Sequence, residues 1–268
     1  MTCSILKNKP VCVLAASTAW CGGFLLFRLA LGPLNTLTGR VGGTFLASVL
    51  CMAAACLSLY ILLKGDFRFV EAIAMLMVGA AANLLVYQVL DGWPLAARMV
   101  VGLTLVVVSF GAGTILAGMV ESTRYVVPMC LVAALADIWS VLAGPTKKIV
   151  ESKNEFVMSH AFVGQPFIGA DEMNPVAGVA DIIFIAMFLC IAARLGLSMR
   201  RALLGAFGGL AAGLVVAAAV GGVPGLPFIG AGFVLANWRA VRPGRAEMKK
   251  TSIFIAAMLV VFAVIAYI

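Results

Sequence analysis

The run YVVPMCLVAALADIWSVL at residues 125–142 and the run AGVADIIFIAMFLCI at 177–191 decide the fold. Each is apolar, of helical length, and carries a single aspartate, Asp137 in the first and Asp181 in the second. A carboxylate inside a hydrocarbon layer loses its water at a cost of kilocalories, so it needs a partner or a wet cavity. Two such carboxylates on successive helices mark a candidate site. The rest of the chain is equally apolar: 63% of its 268 residues are hydrophobic and only 11% are charged. Mean hydropathy is +1.13. A soluble domain carries about a quarter charged residues, so the composition describes an integral membrane protein.

A membrane span needs about 20 apolar residues. That rule predicts helices at roughly 11–31, 41–63, 69–90, 97–120, 125–143, 177–195, 202–221, 225–240 and 251–268. The expected fold is all-α, a polytopic transmembrane bundle of about nine helices. Short connections such as KGDFR at 64–68, DGWP at 91–94 and ESTR at 121–124 imply antiparallel neighbours in one domain covering 1–268. Within it, 1–124 supplies N-terminal helices, 125–240 the core with both aspartates, and 251–268 a last helix.

One connection is long. Residues 144–176 separate the two aspartate helices, and a loop of that length in a tight bundle is usually functional or mobile. Its first part, KKIVESKNE at 147–155, alternates charge at helical spacing and predicts a solvated turn or two. Its second part, FVMSHAFVGQPFIG at 156–169, is apolar but broken by Gly and Pro, which fits an interfacial flap that gates the site.

Side chains outside the two runs read mostly as packing. Gly205, Gly209 and Gly213 recur every four residues, the spacing that lets helix backbones approach closely in lipid. Asn83 and Gln88 suit interhelical hydrogen bonds. Arg28, Glu71, Arg98 and Arg194 lie near helix ends, where long side chains reach the interface. Six of the seven cysteines (Cys12, Cys21, Cys51, Cys56, Cys130, Cys190) are scattered through apolar runs with no CxxC pair, and only Cys3 lies clearly outside them. They read as small apolar fillers rather than disulfides or metal ligands. His160, the single histidine, reads as an ordinary loop residue. No His/Cys cluster, Ser/His pair, P-loop or Rossmann glycine pattern is present, so no metal and no cofactor is expected. The net charge of +8 sits at helix ends and fits anchoring to the lipid bilayer rather than nucleic acid. Most basic residues fall on the face holding the N-terminus, which the positive-inside rule makes cytoplasmic, with loop 144–176 outside.

Counting residues from the membrane edge places both carboxylates at one level. Asp137 lies about 9 Å before its helix exits into the long loop, and Asp181 about 6 Å after the next helix enters from it. The turn Pro224, Gly225, Leu226, Pro227 falls on the same side, because the helix at 202–221 returns the chain there. Two carboxylates a few ångströms apart hold one proton between them. One can then take a proton from water while the other polarises a scissile carbonyl, as in an aspartic protease. Gly178 and Ala180 keep the backbone beside Asp181 open, and the two prolines leave backbone groups exposed at the turn. An unwound substrate could pair with such an edge as an added strand.

These residues carry a resemblance. LADIWSVL around Asp137, GVAD at 178–181 and PGLP at 224–227 resemble, in the same order, the three signatures of the presenilin and signal peptide peptidase family of intramembrane aspartyl proteases. Those signatures are a Tyr-Asp helix, a Gly-x-Gly-Asp helix and a Pro-Ala-Leu motif. The similarity covers roughly residues 125–240. It implies a presenilin-like fold and an aspartic endopeptidase of a prokaryotic cell membrane that cuts transmembrane-helix substrates or signal peptides. It assigns catalysis to Asp137 and Asp181, and substrate positioning to Gly178, Val179, Ala180, Pro224, Gly225, Leu226 and Pro227. Ala136 stands where the family has tyrosine, Ala180 replaces the second glycine, and Gly225 replaces the alanine. The family has five helices before its first aspartate and none after the Pro-Ala-Leu helix; four and one are predicted here. Type IV prepilin peptidases share a Gly-x-Gly-Asp motif but place their other aspartate nearer the amino end and lack the proline turn.

Two other classes of function remain open. A proton-coupled transporter or channel could use the aspartates as a relay, although no repeat links the two halves. A catalytically silent helper could simply bind transmembrane helices. The sequence is also compatible with a homo-oligomer.

Overall fold

A chain in hydrocarbon must satisfy each backbone N–H and C=O internally, and the sequence meets this almost entirely with helices. The computed structural model describes residues 8–90, 93–152, 155–166, 173–220 and 223–267. The sequence features at Cys3, Lys7, Asp91, Lys153 and 167–172 lie outside them, and so do the side chains of Arg28 and Arg40. Among the described residues there are ten α-helices. They are α1 Lys9–Leu63, α2 Phe69–Val89, α3 Pro94–Gly118, α4 Val126–Leu142, α5 Pro145–Ser152, α6 Glu155–Ala161, α7 Val179–Arg194, α8 Met199–Val220, α9 Leu226–Val241 and α10 Arg245–Tyr267. Six stretches are long and apolar enough to cross a membrane: Lys9–Leu26, Phe45–Leu63, Phe69–Val89, Ala96–Gly118, Thr123–Ile149 and Met199–Val220. The helices expected near 177–195 and 225–240 have only 16 residues each. At 1.5 Å per residue each is about 24 Å long, short of the roughly 30 Å hydrocarbon core. α10 opens on charged residues for its first two turns.

Two departures from the sequence reading stand out. The first two expected spans form one continuous helix, α1. Yet Ser58 Oγ donates to Ala16 O at 3.0 Å, and a Cβ on Gly23 would strike that of Ala54. The two ends of α1 therefore lie side by side and antiparallel, as two spans would. The second departure is the loop between the aspartate helices. Its polar part forms α5, with an exposed Lys147–Glu151 pair one turn apart at 3.9 Å, and its apolar part begins as α6. A strand pair follows, β1 (Phe162–Pro166) and β2 (Met173–Gly178), antiparallel with a register irregularity at Val163/Gly164. The stretch 156–169 expected as a flap thus supplies the first strand of a β-hairpin, the one sheet among the described residues. The first two residues expected in the Asp181 helix, Ala177 and Gly178, belong to β2 instead.

The chain divides into two compact units. The first holds residues 1–118 and 155–190. In it α2 and α3 pack antiparallel, with Gly79 against Val108 and Gly111 against the backbone of Ala72 and Leu76. Asn83 donates to Thr104 Oγ1 at 2.9 Å, an interhelical bond between buried groups. Trp20 lies over Gly102 and donates from Nε1 to Met99 O at 2.8 Å. Glu71 receives Lys9 Nζ at 2.7 Å and the Arg68 amide at 2.7 Å, which pins the start of α2. α7 seats on α3 where Gly113 meets Ala186 and the backbone of Ile183 and Met187. The middle of α7, from Ile185 to Ala192, is buried throughout. The helix stops at Gly196, whose φ of +68° suits glycine, with Leu197 N bonded back to Ala192 O at 2.9 Å.

The second unit holds residues 119–154 and 191–268. α8 and α9 pack antiparallel along the glycine stripe, with Gly205 against Gly232 and Ala236, and Gly209 against the Phe228 carbonyl. Only glycine admits backbones this close, so the four-residue spacing does what it does in lipid generally. α4 lies on the other side of α9, with Cys130 against Gly230, and its Trp139 stacks on Phe262 of α10 at 4.6 Å.

Candidate active site

Asp137 projects from the penultimate turn of α4 toward the start of α9. Its Oδ2 accepts the Leu226 amide at 3.0 Å, and the Gly225 N–H faces the same carboxylate. The physical reason lies in the turn. A helix leaves its first amides without intrahelical partners, and Gly225, at the N-cap, has no side chain to receive them. Pro227 at the second helical position has no N–H to lose. The Gly225 and Leu226 amides are thus the open donors at this end, and Asp137 supplies the acceptor from a different helix. The positive end of α9 also favours its charge. Asp137 and the 224–227 turn, expected at one level from span counting, are in direct contact.

Asp181 belongs to the first unit and is the third residue of α7. Its Oδ2 accepts the Gly178 amide at 3.1 Å. This is the acidic half of a capping box, in which the third helical residue reaches back to the N-cap amide. Val179 and Ala180 fill the two positions between, half-exposed and exposed. A Cβ built on Gly178 would meet Phe162 Cε1 at 3.7 Å and Asp181 Oδ2 at 3.8 Å, ordinary contact distances. The glycine therefore leaves room in front of Asp181 that no packing demands. β2 runs directly into this residue, so the hairpin delivers the chain to the carboxylate.

Each aspartate is half-buried and already holds a backbone amide. The sequence reading singled out both carboxylates but missed the amide of Leu226 as a partner. The signal was present: a proline at the second position of a helix announces a helix start, and helix starts carry open amides. Ser140 and Thr146 were not singled out either; their hydroxyls meet at 2.7 Å and tie α5 back to α4. Nothing in a Ser/Thr pair six residues apart advertises that bond.

The other candidates are structural. His160 stacks on Phe156 at 4.3 Å and lies 5.0 Å from Tyr87. Its Nδ1 is 2.8 Å from Phe156 O and 2.9 Å from Ser159 Oγ. Cys12, Cys51, Cys56, Cys130 and Cys190 are buried thiols. Among the described residues no three His, Cys, Asp or Glu side chains gather as metal ligands would. Comparison with protein-family models, with curated proteins and with solved structures returns no match for this chain.

Proposed function

We propose that this chain is an intramembrane aspartyl protease that hydrolyses peptide bonds within transmembrane segments or signal peptides, with Asp137 and Asp181 as its dyad. The observation that carries the reading is the seating of Asp137 on the α9 N-terminus. An acidic side chain in one apolar helix is matched to the Gly225–Leu226 turn of another, while a second apolar helix opens on Asp181. This is the motif trio that resembles the presenilin and signal peptide peptidase family, and a presenilin-like arrangement of the helices follows from the same reading.

In this mechanism the ionised carboxylate takes a proton from water, and the protonated one donates to the scissile carbonyl oxygen as the tetrahedral intermediate forms. Proton return to the leaving nitrogen then breaks the C–N bond. A helical substrate hides its carbonyls, so it must unwind locally first. The two-stranded hairpin has an unpaired edge on each strand, and β2 leads straight into Asp181. An unwound segment added to that edge would present its carbonyls to the carboxylate. Gly178, Val179 and Ala180 beside Asp181, and Pro224, Gly225, Leu226 and Pro227 beside Asp137, are the residues assigned to substrate positioning.

The test uses Asp137→Asn and Asp181→Asn, because asparagine keeps an oxygen for the Leu226 or Gly178 amide and removes only the ionisable group. Purified full-length protein is reconstituted with a reporter transmembrane substrate. Both variants should lose cleavage while unfolding at the wild-type temperature, and wild-type cleavage should fall on both sides of a pH optimum, as a shared proton requires. Cleavage retained in both variants would refute the proposal. Proton uptake by proteoliposomes that needs either aspartate, without proteolysis, would replace it with a relay.

A further inference from the structure

A second feature of the α4/α8/α9/α10 unit lies at the end opposite Asp137. α8 and α9 are antiparallel, so Arg200 and Arg201 at the start of α8 stand level with Arg239 and Arg242 at the end of α9. The chain turns at Pro243–Gly244, and α10 begins with Arg245, Lys249 and Lys250 in its first two turns. The Trp139–Phe262 stack fixes α10 alongside α4. The start of α10 then lies about 17 residues, roughly 25 Å, from that stack, level with the turn before α4 that carries Arg124. All of these cations are exposed. Among the described residues Lys9–Glu71 and Lys147–Glu151 are ion-paired, and neither pair involves one of these cations. The carboxylates at this end are Glu121 and Glu247. The open amides of α8 and α10 point the same way, which adds positive potential.

Aromatic residues fix the level. Trp238 and Tyr125 are 46% and 50% exposed, each adjacent in sequence to one of the arginines. Exposed Trp and Tyr beside apolar helix surface sit at headgroup depth. Leu235, one turn deeper on α9, is 75% exposed and meets acyl chains. The cations therefore begin where phosphates lie. We propose that this end of the unit binds the phosphate headgroups of anionic phospholipids, several at once, through Arg200, Arg201, Arg239, Arg242, Arg245 and the α10 lysines. Guanidinium groups match phosphate oxygens two bonds at a time. The surface is separate from the candidate active site, because Arg239 lies thirteen residues after Leu226 along α9, roughly 20 Å. The proposal stands whether or not the chain is a protease.

The experiment uses the full chain purified in neutral detergent and incubated with equal amounts of phosphatidylglycerol and phosphatidylcholine, with bound lipids counted by native mass spectrometry. Phosphatidylglycerol should be retained in preference. The preference should fall on the order of tenfold in a variant carrying Arg239→Gln, Arg242→Gln, Arg245→Gln, Lys249→Gln and Lys250→Gln. Lys147→Gln with Lys148→Gln, on α5 at the other end of the unit, should leave it unchanged. All five substituted side chains are exposed, and a matching circular dichroism spectrum shows that the variant is folded. Equal retention of the two lipids by wild type overturns the proposal, as does a preference that survives the five substitutions. Inorganic phosphate that displaces phosphatidylglycerol at equal concentration identifies a free-anion site instead. A single-stranded oligonucleotide held by the same residues while the lipid preference is absent identifies a nucleic-acid surface.

Discussion

Asp137 and Asp181 make the same chemical contact in opposite ways. Each carboxylate receives an amide at a helix start, at 3.0 and 3.1 Å. Asp181 caps its own helix from three residues away, whereas Asp137 caps a helix 89 residues further along the chain. The first contact forms as soon as α7 forms. The second exists only once α4 and α9 have packed, so it reports tertiary structure. One carboxylate is placed by local geometry, the other by a seam of small residues that sets where α9 begins.

Substituting the charge without the shape separates catalysis from capping most strongly. With Asp137→Asn or Asp181→Asn, cleavage of a reporter substrate should fall by about a thousandfold or more, the scale of a lost acid or base. Thermal unfolding in detergent should be unchanged in both. A residual rate near wild type in only one of the two would break the symmetry between them and leave the carboxylate replaced in that variant as a cap alone.

The next effect falls on the seam. A methyl at Gly209 would strike the Phe228 carbonyl, a backbone atom that cannot rotate aside. Gly209→Ala should therefore cost about 2–3 kcal/mol through overpacking and shift α9, taking the Leu226 amide away from Asp137. Lowered stability together with lowered cleavage is the expected result, measured by unfolding midpoints and the reporter assay. Gly208, in open space on the same helix, should accept alanine at no cost. Alanine is the better helix former, so an equal loss at both positions would mean that the close approach at Gly209 is not what the substitution disturbs.

The two caps also differ in what removal exposes. Asp137→Ala leaves the amide of Leu226, itself only 8% exposed, without its acceptor, at a cost of about 1–3 kcal/mol. Asp181→Ala removes a local cap, a loss of about 0.5–1 kcal/mol. Unfolding midpoints of the two alanine variants should rank in that order, and the reverse ranking would show that the long-range cap is the weaker.

The ranking mirrors what could be read from the sequence. The helices were legible because uniform apolar runs in lipid have no other way to satisfy their backbones. The Gly178–Asp181 cap is legible too, since its partners lie within one turn. The level shared by Asp137 and the 224–227 turn came from counting residues along spans, but the bond itself did not, because it depends on how α4 and α9 cross. The β-hairpin was hidden for a different reason. Phe162–Pro166 is short and interrupted by Gly164 and Pro166, so its alternation is too brief to outvote an all-helical reading. The fold-back inside α1 was legible as two spans because Gly32, Pro33, Asn35 and Gly39 punctuate the stretch between them, and the same residues made continuous helix illegible.

The smallest effect is the sharpest probe of Asp181. Gly178 has room for a methyl group, with its nearest neighbours 3.7 and 3.8 Å from the added carbon. Gly178→Ala should therefore leave stability within about 0.5 kcal/mol, the range of a substitution that disturbs no packing. The capping bond uses the backbone N–H, which the substitution leaves in place. Any change in cleavage must then come from the space in front of the carboxylate rather than from the fold. A loss confined to KM places substrate against Gly178. A loss confined to kcat means that the methyl group disturbs the approach of water or carbonyl to Asp181. Unchanged kinetics in a folded Gly178→Ala variant would remove residues 178–180 from the substrate path, leaving the Pro224–Pro227 turn as the side along which a substrate is held.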